Sequence, residues 1–249
     1  MFNQLLTKLF GSRNERVLRQ YQKNIARINQ LEEGLKALDD AALKARICEL
    51  VLREHCATPR EDWRYGALTT ERRQELRASF PKQPTPAAVL VPIVEHDSGL
   101  TILLTRRADH LSQHPGQISF PGGRVDPVDR DITSAALRET EEEIGLSRAR
   151  IELAGFLPDH LIISGYRVSP VVGFIRPGFD LQLDPAEVAE VFEMPLRHLL
   201  DERNHVRRRR RFQGSEIELT DVPFGPHHIW GATAGMLLTL YRVLRGEDR

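Results

Sequence analysis

Cysteine is nearly absent from this 249-residue chain, with Cys48 and Cys56 the only two. Two thiols at that spacing match neither a zinc ribbon nor a CxxC redox motif, and they allow at most one disulfide. They read as free thiols of a reducing compartment. Net charge is absent too, since 35 Lys+Arg balance 35 Asp+Glu. No global field draws such a chain to nucleic acid or to an acidic membrane, so any anion binding must be local. No apolar run approaches the ~20 residues of a membrane span. The opening stretch, MFNQLLTKLFGSRNER, is amphipathic but lacks the apolar core and cleavage site of a signal peptide. These absences predict a cytoplasmic protein. What is present, 41% hydrophobic and 28% charged residues, is enough for a folded core.

Residues 1–56 carry a helical signature. Leu18, Tyr21, Ile25, Ile28 and Leu35 recur at three- and four-residue steps, with one position skipped before the last. Gly11-Ser12 is a break, with Ser12 placed to cap a long helix, and Asp39-Asp40 after Leu38 marks another helix start. Residues 57–86, with Pro59, Trp63, Gly66, Pro81, Pro84 and Pro86, read as an irregular linker around one short helix at 71–79. From Ala87 the pattern turns to strands, at 87–94 and 100–105, with a hairpin turn at Asp97-Ser98-Gly99. Further strands are predicted at 151–157 and 167–175, a helix at 186–190 and a last helix at 233–244. The run Arg207–Arg211 falls in or beside a strand or loop. Mixed strands with two or three helices give an α+β class, or an α/β/α sandwich. The division is a helical leader (1–56), a linker (57–86) and a mixed strand-and-helix domain (87–249).

The chemistry sits in Phe120-Pro121-Gly122-Gly123 and the acidic stretch that follows. Glu139, Glu142 and Glu143 are spaced i, i+3, i+4 and share one helix face. Three carboxylates on one face repel one another, and a hard divalent cation with oxygen ligands removes that repulsion. Glu141 points to another face. Arg138 reaches Glu142 one turn on, either as an ordinary surface ion pair or to orient a metal-binding carboxylate. Glycine at 122 and 123 lets backbone approach a ligand closely, and the Gly123 carbonyl can serve as a ligand itself. Gly145 reads as the helix C-cap.

With those residues in view, the stretch resembles a Nudix box, G-x5-E-x7-R-E-U-x-E-E-x-G-U, where U is apolar. Arg138-Glu139-Thr140-Glu141-Glu142-Glu143-Ile144-Gly145-Leu146 matches the second half, with Thr140 at the first U. The first half departs: counted from Gly123, the Glu position falls on Asp129, and one extra residue precedes Arg138. Upstream, Leu103-Leu104-Thr105-Arg106-Arg107-Ala108 and Gly116-Gln117-Ile118-Ser119-Phe120-Pro121-Gly122-Gly123 resemble the further signature of the coenzyme A pyrophosphatase branch, LLTxR[SA]x3Rx3Gx3FPGG. Ser112 stands where that signature has its second Arg, a loss for which Arg106 is the candidate substitute. Leu157-Pro158-Asp159, the stretch 165–172 and the stretch 229–236 also look like this branch.

The resemblance covers about 160 residues and implies a Nudix-type α/β/α sandwich with a mixed sheet. It implies Mg²⁺ (or Mn²⁺) held by Glu139, Glu142 and Glu143, with the Gly123 carbonyl completing the shell. Activated water then attacks one phosphorus of a pyrophosphate. Arg138 belongs to the catalytic set, and Arg107, Gly116, Gln117 and Phe120 to the substrate set. Arg107 is the best phosphate contact, because its fork matches phosphate geometry. The base is Glu139, or Glu187 or Glu190 from the helix expected at 186–190, although those two also fit a solvated face. The substrate is coenzyme A or a derivative. ADP-ribose, NADH or a nucleoside triphosphate is the alternative within the family, and a catalytically silent nucleotide-binding module the alternative outside it. Arg207–Arg211 is a second anion candidate, with a solvated strand edge as the plainer reading. His114 lies inside the upstream signature, and His227-His228 reads as structural. The partner is a small molecule, a homodimer is possible, and neither nucleic acid nor a membrane span is expected.

Residues Leu5–Arg46 resemble something else, the extreme N-terminus of the SecA translocase motor. No GxxxxGK[ST] sequence occurs in the chain, so no motor ATPase is implied. We read a helical leader, for which a lipid or translocon contact would be settled by membrane co-sedimentation with and without residues 1–56.

Overall fold

A computed structural model describes residues 33–56, 71, 74, 82–162, 164–212 and 215–247. The long helix expected from Ser12 and most of the resemblance to SecA lie outside the described residues. So does the helix expected at 71–79, except Glu71 and Gln74, which are both helical.

β1 (Thr85–His96) is the spine of an eight-stranded sheet. Every residue from Ala87 to Val94 is buried, as expected of a strand covered on both faces. It begins at Thr85, two residues before the expected start. Asp97-Ser98 turn it into β2 (Gly99–Arg107), with His96 opposite Gly99. β2 keeps its pairing to β1 only over Leu100–Ile102 and Gly99, then diverges. The next segment fills the gap: β3 (Ile118–Ser119) pairs with the far end of β2, and β4 (Gly122–Arg124) with the near end of β1. Between them Leu90 N donates to the Pro121 carbonyl at 2.9 Å. The Gly122-Gly123 bend is thus wedged into the split of the sheet.

On the other edge of β1 lies β7 (Tyr166–Ile175), in a ten-residue parallel register. β5 (Ile151–Phe156) and β6 (His160–Leu161) pair antiparallel to it. β8 (Val188–Pro195) pairs with β2. β9 (Val206–Phe212) and β10 (Ser215–Asp221) form a separate two-stranded arm. Helix and strand faces sort by alternation along β1. Ala88 and Leu90 pack against the helix Ile132–Ile144, while Ala87, Val89, Val91 and Ile93 face the main core on the opposite side. This is the expected α+β sandwich with a mixed sheet.

Helix α1 (Asp40–Leu50) starts where Asp39-Asp40 predicts: the Asp39 side chain caps it by accepting from Ala42 N. Leu35, Leu43, Ile47 and Val51 of the leader are buried in the main core, together with the C-terminal helix. Leu52 also pairs with Phe156, and Arg46 Nε donates to the Leu244 carbonyl. Because Ile47 has no exposure, Ile47→Ala is expected to cost about 2–5 kcal/mol of unfolding free energy. Urea denaturation measures this, and a midpoint equal to the parent's would mean that α1 is not docked.

Candidate active site

The bend and one helix build the site. α2 (Ile132–Ile144) begins with a capping box between Asp131 and Ser134 and ends on Gly145 at φ 70°, a conformation that favours glycine. Its buried face is Ala135, Ala136, Thr140, Glu143 and Ile144. Thr140, in an apolar slot of the motif, satisfies its hydroxyl on the Ala136 carbonyl at 2.7 Å. That leaves Glu143 as a carboxylate pointing into the sheet. One of its oxygens accepts from Gly122 N at 3.0 Å, which ties α2 to the bend. Glu139 lies one turn earlier against Gly123, so closely that a Cβ on Gly123 would sit 2.4 Å from its Oε2. Glu142 is the outer member, with its side chain 58% exposed. Glu141 points away and pairs with Arg148.

Arg138 organises the outer half. Its Nε and Nη2 grip both oxygens of Asp129, at 3.0 and 2.9 Å, while Nη1 bonds Glu139 at 2.9 Å and Glu142 at 2.8 Å. The sequence named Asp129 without giving it a role. It is the buried anchor of Arg138, and this hydrogen bond holds its carboxyl below the usual range. The extra residue before Arg138 is absorbed in the loop 125–130, so spacing alone could not find the pair.

Burial pushes the carboxyls of Glu139 and Glu143 up, Glu143 to about 8. Glu187 and the neighbouring carboxylates add to the shift, while Gly122 N–H and Arg107 oppose it at Glu143. Buried carboxylates crowded together are what a hard cation relieves, and the glycine notch beside Glu139 gives it an approach without a Cβ in the way, so the donor set fits such an ion. The convergence expected of the three side chains is not met as they stand. Arg138 lies between Glu139 and Glu142, and no three His, Cys, Asp or Glu side chains gather round one point among the described residues.

Arg107 lies at a register shift in β2, near enough to Glu143 to act on its carboxyl electrostatically. Its Nε is buried with no hydrogen-bond partner among the described residues. Gly116 and Gln117 form the turn that returns to β2, where Gln117 O accepts from Arg107 N at 3.0 Å. Phe120 corrects an expectation. It is 2% exposed within the main core, so it supports the bend from beneath and has no surface for substrate. His114 is exposed at φ 55°.

The helix expected at 186–190 is not formed. Asp184 caps a turn through Ala186, and Val188 opens β8, because pairing with β2 overrides a locally helix-favouring sequence. The correction separates two candidates for the base. Glu187 acts electrostatically on both Glu139 and Glu143. Glu190 lies on the other face, paired with Arg106 at 3.3 Å and near His227 at 3.6 Å. Arg106 is also bound to Asp109, at the start of the loop that carries Ser112. His227 stacks on Phe192, and His228 bonds Asp221.

The raised Glu143 carboxyl carries a pH signature. Between its ordinary value of 4.5 and about 8 the folded state keeps a proton that the unfolded chain has lost. The fold therefore loses stability as pH rises through that window. In a chelator, the urea midpoint of the parent should fall from about pH 5 to about pH 8 more steeply than that of Glu143→Gln. Identical slopes would show that Glu143 titrates normally.

The family model for the NUDIX domain matches residues 84–213. The "Uncharacterized Nudix hydrolase NudL" of Shigella flexneri serotype 5b is 38% identical over 189 residues, covering 71% of this chain and 95% of that one. Its namesake in Enterobacter sp. (strain 638) is 40% identical over 158 residues, covering 62% and 80%. Among solved structures, a C. elegans Ap4A hydrolase binary complex is similar at 24% identity and TM-score 0.38, covering 45% of this chain and 81% of that one. A MutT protein from Methanosarcina mazei Go1 gives 23% and 0.39, covering 48% and 83%. With its domain matched over more than half its length and its Gly122-Gly123 bend locked to Glu143, the chain belongs to the Nudix hydrolase family.

Proposed function

We propose that this Nudix hydrolase cleaves the pyrophosphate bond of coenzyme A or its derivatives. The products are 4′-phosphopantetheine, or its acyl form, and adenosine 3′,5′-bisphosphate. The observation that carries the reading is Glu143, with Glu139 and Glu187 acting on it from one side and Arg107 from the other, the buried Arg107 Nε having no hydrogen-bond partner among the described residues. Carboxylates beside a guanidinium suit a cation and a phosphate side by side. Support for the branch is the spacing from Leu103 to Gly123, which the fold turns into β2, the loop 108–117 and the bend.

Glu139, Glu142 and Glu143, with the Gly123 carbonyl, would hold Mg²⁺ or Mn²⁺. Such an ion, when bound, neutralises phosphate oxygens and acidifies water. The chain's own groups do the rest. Arg138, fixed on Asp129, sets the carboxylates of Glu139 and Glu142. Arg107 binds and orients a phosphate oxygen. Glu187 takes a proton from the attacking water, and Glu139 is the second candidate for that step. Glu190 is left out, because its partners lie on the opposite face.

A Mg²⁺-dependent screen over coenzyme A, its thioesters, NADH and ADP-ribose, with products identified by mass, tests this. Adenosine 3′,5′-bisphosphate from coenzyme A is the expected result. Preferred cleavage of ADP-ribose or NADH moves the protein to another Nudix diphosphatase class. No cleavage of any of them, with nucleotide binding retained, makes it a binding module.

A further inference from the structure

Asp221 is a buried charge that the catalytic reading leaves unused. It ends β10 with no exposure. Its Oδ2 lies 3.2 Å from Arg208 Nε and accepts from Arg210 Nη2 at 2.8 Å and His228 Nε2 at 2.7 Å. Arg208 and Arg210 stand two apart in β9 and so project from one face of the arm. The Arg210 guanidinium also lies 4.4 Å over the Trp230 ring.

One carboxylate can hold one guanidinium neutral, yet here it faces two together with an imidazole. The cluster keeps an excess of positive charge. The Arg208 side chain is 54% exposed and that of His228 47%, so the excess is turned to solvent. Arg210 Nε is buried and has no hydrogen-bond partner among the described residues. Two arginines, fixed by a shared acid and an indole, form a rigid donor set suited to a phosphate dianion.

The cluster is also joined to the candidate active site. Trp230 precedes the helix Gly231–Leu244, and Thr233 of that helix donates to the Ile118 carbonyl at 2.9 Å, just ahead of the Phe120–Gly123 bend.

We propose that Arg208, Arg210 and His228, gathered by Asp221, form a subsite for a phosphate monoester on the nucleotide half of the substrate. This deepens the coenzyme A reading and rests on it. The subsite would select a 3′-phosphorylated nucleotide over the same molecule without that group.

The test compares kcat/KM for coenzyme A and 3′-dephospho-coenzyme A. Losing a charge-assisted contact of this kind should give the parent at least about a tenfold preference for the phosphorylated form. In Arg208→Gln and Arg210→Gln the preference should fall toward one, and Arg208→Lys should restore part of it. Calorimetry gives a readout free of turnover: the parent should bind adenosine 3′,5′-bisphosphate more tightly than adenosine 5′-monophosphate, by a similar factor. If both substrates are cleaved equally and both nucleotides bind equally, the subsite is wrong while the hydrolase reading stands. If neither coenzyme is cleaved but the bisphosphate binds preferentially, the substrate reading fails and the subsite survives. Variants that lose both substrates in equal proportion would show that the arginines only hold the arm in place, which also overturns the proposal.

Discussion

Glu142→Gln is expected to leave the protein folded and to lower Mg²⁺-dependent turnover by about 10²–10³-fold, the scale of removing one electrostatic group that acts on the transition state. The separation of the two effects follows from where Glu142 sits. Its side chain is more than half exposed, and it bonds Arg138 one turn away. Exposed pairs at that spacing contribute only about 0.3–0.5 kcal/mol, so the melting temperature should barely move. Arg138 keeps Asp129 and Glu139 as partners and holds its place. Initial rates over a Mg²⁺ titration, read beside a thermal melt, decide the matter. A variant as fast as the parent at saturating Mg²⁺ would remove Glu142 from the ligand set.

Gly123→Ala should produce the next largest loss. The added methyl would meet Glu139 Oε2 at 2.4 Å and Cδ at 2.5 Å, and what it meets is the free end of a flexible side chain. The strand can stay paired to Ala88 while the carboxylate swings away. Misplacing a reacting group by about 1 Å can cost on the order of 10²-fold in rate, and that is the expected fall. Gly122→Ala should behave in the opposite way. Its φ is 146°, and a Cβ would lie 2.3 Å from the Ala88 carbonyl and 2.6 Å from Val89 Cα, atoms that cannot yield cheaply. Strain of that kind costs of order 1–3 kcal/mol, so the urea midpoint falls before any question of rate arises. Should Gly123→Ala turn over like the parent, the notch beside Glu139 has no part in catalysis.

The site was legible wherever a single helix period fixes the geometry. Glu139, Glu142 and Glu143 fall on one side of α2 simply because they are spaced three and four apart, and the Arg138–Glu142 bond follows from the same arithmetic. Legibility ended where a loop or a distant strand decides. Asp129 meets Arg138 through a turn whose length the motif does not fix. Glu187 and Glu190 were placed together on a helix, yet a strand partner sends them to different faces. Phe120 reads as a substrate residue in the motif, and only the packing of the main core shows where it points. In the fold, the hairpin at Asp97-Ser98 and the last helix follow directly from local pattern, whereas the arginine run reads as strand or loop until its pairing with β10 is seen. The seating of α1 did not, because a helix with apolar residues at Leu43 and Ile47 says that it packs without saying against what.

That seating bears on how the enzyme can be handled. A fragment trimmed to start at residue 84, where the domain match begins, keeps every carboxylate of the site. It also strips the cover from the greasy patch that Leu35, Leu43, Ile47 and Val51 share with the C-terminal helix. Such a piece would be prone to clump through the bared surface, and an inactive preparation of it would say nothing about the chemistry.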